Sequence, residues 1–142
     1  MPVSYPYTAS GGPIVAITQQ LRKSFPQVVD ASTLKKLGIA PQNESYVLGV
    51  LRFLGVIDKE GKKVDSAAKV FLNHDESAFQ KAFAGLVKAA YQDLFSLHGD
   101  DAWKLDTDGL ITFFRQSAES SQIVGQRQAT TFTTLCALSW PC

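Results

Sequence analysis

The chain has 142 residues, of which 45% are apolar and 19% charged, and its formal net charge is +1. At about 100–200 residues per domain this is one domain or two very small ones, with apolar content sufficient for a core. It excludes a disordered, collagen-like or disulfide-stapled chain. No run approaches the ~18 consecutive apolar residues of a membrane span, and so small a net charge sets up no whole-molecule field that dictates a nucleic-acid or membrane partner.

Residues 1–13 hold Tyr5-Pro6-Tyr7 and Ser10-Gly11-Gly12-Pro13, a content that rules out a regular helix. Two tyrosines are large surfaces to leave in water, so this arm is expected to pack on the body. A first helix should begin near Pro13, a favourable first-turn residue, and run from Ile14 to about Ser24. Ile14, Ile17 and Leu21 share one face, and Phe25-Pro26 stops the helix. Asp30 or Ser32 caps a short helix, Thr33–Leu37, which Gly38 closes in the left-handed conformation. Pro41 and Asn43 lead into a third helix over about 44–54. Its apolar positions, Tyr46, Val47, Leu48, Val50, Leu51, Phe53 and Leu54, cover most of its circumference, so it should be largely buried. The remaining strip is Ser45, Gly49 and Arg52.

Gly55 ends that helix. Val56-Ile57-Asp58 and Lys62-Lys63-Val64 flank Lys59-Glu60-Gly61, which predicts a short hairpin with a bulged turn. A fourth helix, about Ser66 to Leu72, packs through Ala67, Val70 and Phe71. Three helices and a hairpin in this order resemble a winged helix, with the second and third helices as the helix-turn-helix and the hairpin as the wing.

The second half reads as helix throughout. Asn73 or Asp75 caps a long helix reaching about Leu97, with Phe79, Phe83, Leu86, Ala90, Leu94 and Leu97 as its stripe. At 1.5 Å per residue, about 22 residues make a rod of about 33 Å, enough to cross the domain or support a second subunit. His98-Gly99 closes it. Asp106 or Thr107 caps the next helix, which carries Leu110, Ile111, Phe113 and Phe114. Ser120 or Ser121 caps the last, which carries Ile123, Val124, Phe132, Leu135 and Leu138 and is ended by Trp140-Pro141. The expected architecture is therefore mainly α: a winged-helix-like three-helix unit with a short β-hairpin, then a long helix and two further helices. Residues 1–72 form the arm and the winged-helix-like unit, and residues 73–142 a helical unit packed on it.

Residues that could carry chemistry are sparse. The two histidines, His74 and His98, sit at a helix entry and a helix exit, positions that suit histidine for structural reasons. No serine occupies a nucleophile elbow. The cysteines and histidines have no metal-ligand spacing. Asp106-Thr107-Asp108-Gly109 lacks the glutamate and alternation of a calcium loop and reads as a helix cap. Ser10-Gly11-Gly12 lacks the strand and Gly-Lys-Ser/Thr of a phosphate loop. Cys136 reads as a small buried hydrophobe and Cys142 follows Pro141, so no internal disulfide is expected. With no secretory signal, a reducing cytoplasmic setting is expected. No catalytic, metal or cofactor residue is assigned. The remaining enzyme reading, a small hydrolase or nuclease, needs a carboxylate cluster that only a structure could reveal.

The positive signal is the charge division. Residues 1–72 carry nine Lys/Arg against five Asp/Glu, a net of +4, while residues 73–142 carry five against eight, a net of −3. Lys35 and Lys36 fall on the second helix, Arg52 on the third, and Lys59, Lys62 and Lys63 on the hairpin. In a winged helix these six could share a face and meet phosphates. The third helix offers few side chains to base edges, which points to weak sequence preference. The alternative is a protein-interaction or assembly module, an adaptor or a homodimer through the aromatic-rich C-terminal helices, that binds no nucleic acid.

Several blocks also carry a family pattern: Tyr5-Pro6-Tyr7-Thr8; Leu51-Arg52-Phe53-Leu54-Gly55-Val56-Ile57-Asp58 followed by Gly61-Lys62; Ala90-Tyr91-Gln92-Asp93-Leu94-Phe95; Phe113-Phe114-Arg115; and Thr131-Phe132 with Leu135-Cys136. In this order they resemble a family of small prokaryotic proteins of unknown function. The resemblance implies a mostly helical protein with a winged-helix-like first half and a packed Tyr-Pro-Tyr arm. It implies no activity.

Overall fold

In the computed structural model, which describes residues 5–139, eight α-helices follow one another: α1 (Gly12–Lys23), α2 (Ala31–Leu37), α3 (Glu44–Phe53), α4 (Asp65–Ala68), α5 (Glu76–Ala90), α6 (Gln92–His98), α7 (Thr107–Ala118) and α8 (Gln122–Ala137). Two short 3₁₀ segments, Lys69–Leu72 and Gly99–Lys104, join α4 to α5 and α6 to α7. The mainly helical expectation holds.

Local chemistry sets most of the boundaries. The Asp30 carboxylate accepts from the Thr33 N–H at 3.1 Å while the Thr33 hydroxyl accepts from the Asp30 N–H at 3.2 Å, a reciprocal cap on α2. The Thr33 N–H, helped by the Thr33 hydroxyl and the Ser32 N–H, holds the Asp30 carboxyl below the usual carboxylate range. Asp75, Asp106 and Ser121 each accept from the backbone N–H three residues on and start α5, α7 and α8. The expected end of α8 at Trp140-Pro141 lies outside the described residues; the helix itself closes at Ala137.

Three expectations are corrected. The hairpin does not form as paired strands, and the described residues contain no sheet. What remains is two isolated antiparallel bridges, Val28 with Lys62 and Ile57 with Lys63. Each arm is only three residues long, because Gly55 turns the chain just before Val56 and α4 starts just after Val64. The fourth helix is a single α turn that tightens into the Lys69–Leu72 segment. The long helix breaks at Tyr91, whose ψ of 40° leaves the helical range, so α5 is about 22 Å long at 1.5 Å per residue.

The Tyr91 ring lies at the centre of the molecule, on the face that Val87 and Leu94 also bury. There it lies parallel to the Tyr5 ring at 5.7 Å, and edge-on to Phe53 at 4.9 Å and Phe132 at 4.8 Å. Tyr5 also packs against Phe113 and Phe114 of α7. The N-terminal arm is thus a core element, and polar groups of α8 pin it. Gln128 Nε2 donates to the Tyr5 carbonyl at 3.1 Å, and the Thr8 N–H donates to Thr131 Oγ1 at 3.1 Å. Both side chains are buried, which accounts for glutamine and threonine on the inner face of α8. A second aromatic group, Phe25, Phe71, Phe79 and Phe83, packs between α1 and α5.

The Tyr91 hydroxyl finds no hydrogen-bond partner among the described residues. Burial, then the nearby Cys136 and Tyr5, push its pKa far above the ordinary 10.0. Burial and Asp93 raise that of Tyr5. In the unfolded chain both phenols ionise near pH 10, whereas the folded chain holds their protons, so stability is intact below about pH 10 and falls above it. Tyr91→Phe, which deletes an unpaired buried hydroxyl, is expected to stabilise the protein by about 1 kcal/mol at neutral pH. The same variant should flatten the alkaline loss, as read from denaturant midpoints between about pH 8 and about pH 11.

Glu119 caps α7 in the left-handed region at φ 53°, a conformation that costs a non-glycine residue about 1 kcal/mol. Glu119→Gly should raise the melting midpoint by about 3 °C in a calorimetric scan.

Candidate nucleic-acid interface

Helices α2 and α3 pack on each other across the turn at 38–43. That turn is built from left-handed residues: Gly38 at φ 68°, Ala40 at φ 50° and Gln42 at φ 67°. The Asn43 N–H donates to the Ala40 carbonyl at 2.8 Å, and the Gln42 N–H donates to Glu44 Oε2 at 2.9 Å. Glu44 is buried, so its charge is spent on its own turn and not presented outward.

On α3 the buried side is Glu44, Val47, Leu48, Val50 and Leu51. Ser45, Tyr46 and Arg52 are exposed, and a Cβ on Gly49 would meet nothing within 4 Å. Tyr46, expected inside, is 44% exposed, with the Tyr7 ring tilted against it at 5.5 Å. The outward strip is therefore wider by one aromatic than periodicity implied.

The 58–62 turn is held by Asp58. Its carboxylate accepts from the N–H groups of Glu60 and Lys62, each at 2.9 Å, and its carbonyl accepts from the Gly61 N–H at 3.0 Å. The turn is anchored to the segment entering α2: Val29 N–H donates to the Gly61 carbonyl and Lys63 N–H to the Gln27 carbonyl, both at 2.8 Å. This seats the turn beside the start of α2. Gly61, at φ 82°, makes the approach possible, because a Cβ there would come within 2.5 Å of the Val29 carbonyl oxygen.

The six cations named from the sequence separate into two kinds. Lys35 and Lys36 in the last turn of α2, Arg52 in the last turn of α3, and Lys59 and Lys62 on the turn are exposed. Lys63 is half-buried, 3.9 Å from Asp65 and 6.0 Å above the Phe25 ring. Sequence reading missed another cationic surface in the acidic half. A cleft of about 550 Å³ between α5 and the Gly99–Lys104 segment is lined by Lys81, Lys88, Lys104 and Trp103. Its signal was the helical spacing of Lys81, Ala84, Gly85 and Lys88, with a tryptophan and a lysine adjacent in sequence further on.

Among the described residues, no three His, Cys, Asp or Glu side chains stand together as a metal site, and no helix is long and apolar enough to cross a membrane. Among the described residues the protein is mainly helical, with Lys35, Lys36, Arg52, Lys59 and Lys62 of its first half exposed. The chain belongs to DUF5343, a family of unknown function, whose model matches residues 6–139. No curated protein and no solved structure matches it.

Gly61→Ala should lower stability by about 2 kcal/mol or more, since it combines a strained φ with a backbone clash. Urea denaturation would measure it, and Lys62→Ala, which leaves the turn intact, should stay within about 0.5 kcal/mol of the parent.

Proposed function

We propose that this is a non-enzymatic, winged-helix-like nucleic-acid-binding protein with weak sequence preference. In this reading α2 and α3 serve as the helix-turn-helix and the 58–63 turn as a minimal wing. Lys35, Lys36, Arg52, Lys59 and Lys62 contact phosphates, and Lys63 chiefly steadies the turn. One observation carries the reading: five exposed cations occupy α2, α3 and the turn, and of the three carboxylates on α3 and the turn Glu44 and Asp58 are engaged by backbone N–H groups, with Glu60 alone exposed beside Lys59. Weak preference follows from α3, whose outward strip of Ser45, Tyr46, Gly49 and Arg52 supplies few donors to base edges.

The test is fluorescence anisotropy with a mixed-sequence duplex over a salt series. Five phosphate contacts predict a log–log salt slope of about −4.5. Lys59→Glu with Lys62→Glu should weaken binding and reduce that slope by about 2, with the helical circular dichroism unchanged. Absence of duplex binding at about 50 mM salt sinks the reading. The competing reading, a homodimer through the C-terminal helices, draws on Leu97 of α6, 69% exposed, and Ile123 of α8, 62% exposed. A monomeric mass in light scattering at high protein concentration removes it.

A further inference from the structure

The cleft between α5 and the Gly99–Lys104 segment has two chemical characters at once. Lys81, Lys88 and Lys104 stand around it against a single carboxylate, Asp100. Asp100 lies 3.5 Å from the Lys88 ammonium, and both side chains are exposed, so the pair is held weakly and an incoming anion can displace it. The remaining wall is the half-buried Trp103 indole. Its orientation is set from behind: Phe95 packs edge-on at 4.8 Å and Phe132 lies near-parallel at 6.4 Å. Trp103 also borders a second, apolar pocket of about 270 Å³ that reaches Phe132 and Cys136.

Ala84 and Gly85 complete the lining. A Cβ on Gly85 would meet nothing within 4 Å, so the space above the helix is open to a ligand. Glycine inside a helix weakens it, and here it leaves the cleft unfilled. The volume, about 550 Å³, is that of a small-molecule site.

We propose that this cleft binds a nucleoside phosphate, the base against the Trp103 indole and the phosphate among Lys81, Lys88 and Lys104. The lysines select an anion, and the fixed indole selects a flat ring. A simple anion would leave the indole unused, and an uncharged aromatic would leave the lysines unused. The ligand is either a free nucleotide or the terminal nucleotide of a strand, which share this chemistry. The site lies on α5 and the following turns, apart from α2, α3 and the 58–63 turn, and does not rest on the function proposed for them.

The probe is AMP, titrated into the full chain carrying Trp140→Phe so that Trp103 is the sole tryptophan. Adenosine and inorganic phosphate are titrated separately. AMP should quench Trp103 fluorescence with half-saturation in the micromolar range, at least tenfold tighter than either fragment. Gly85→Leu, which fills the cleft while improving the helix, should weaken AMP binding tenfold or more. Lys88→Glu with Lys104→Glu should do the same, and Asp100→Asn should tighten it severalfold. A 5′-phosphorylated oligoadenylate that binds more tightly than AMP, and is equally lost in Gly85→Leu, identifies a strand end; tighter AMP binding identifies a free nucleotide. No saturable quenching, phosphate binding as tightly as AMP, or AMP affinity unchanged in Gly85→Leu overturns the proposal. Lys59→Glu with Lys62→Glu should leave AMP binding unaltered, which separates this site from the duplex interface.

Discussion

The Tyr91 ring is fully buried where the N-terminal arm, α3, α7 and α8 meet, and the parallel Tyr5 ring at 5.7 Å closes the group. Much of the architecture follows from this contact. Tyr91 shares its buried face with Phe83, Val87 and Leu94, and it stands where α5 gives way to α6. Tyr5 reaches it only because the arm is held along α8 by Gln128 and Thr131. Aromatic pairs in offset or edge-on geometry add to simple burial. A ring set joining residues from both ends of the chain fixes the ends relative to one another at little conformational cost, because each aromatic has few torsions to freeze. The unpaired Tyr91 hydroxyl shows that packing, and not hydrogen bonding, decides its position.

Outside this centre, the surface is organised by where carboxylates spend their charge. Asp30, Asp75 and Asp106 are helix caps, Glu44 serves the 38–43 turn, and Asp58 serves the 58–62 turn. Each is bound by backbone N–H groups of its own turn or helix start. Lys35, Lys36, Lys59 and Lys62 are exposed. A chain with net charge +1 can in this way present cationic faces to solvent. Exposed cations stand on α2, α3 and the 58–62 turn, and others line a cleft beside an indole. Cations spread over several elements suit a polymer of phosphates, whereas cations around a cleft with an aromatic wall suit a single small anion.

Elements with strong end signals were legible in the sequence. Proline in the first turn of α1, Gly38 after α2 and the aspartate or serine caps of α5, α7 and α8 are local chemistry, acting within three or four residues, and they set those elements wherever the chain lies. The apolar faces of α1 and α7 and the packed Tyr-Pro-Tyr arm were readable for a related reason, since large apolar surface must be buried somewhere. The exposed cations on α2, α3 and the turn were readable because lysine seldom leaves solvent.

Tertiary structure alone decided the rest. Periodicity continues smoothly through Tyr91, and nothing within a few residues marks the backbone break there; Tyr5, Phe53 and Phe132 surround its ring. The hairpin failed because its arms, flanked by Gly55 and α4, are too short for a ladder, and their backbone groups bond partly to residues 27–29. The cleft of Lys81, Lys88, Lys104 and Trp103 was invisible because Trp103 and Lys104 come to face α5 only after the chain turns at Gly99. Caps and hydrophobic faces are properties of neighbours in sequence, whereas a helix break, a failed pairing and a cleft depend on which distant side chains arrive beside them.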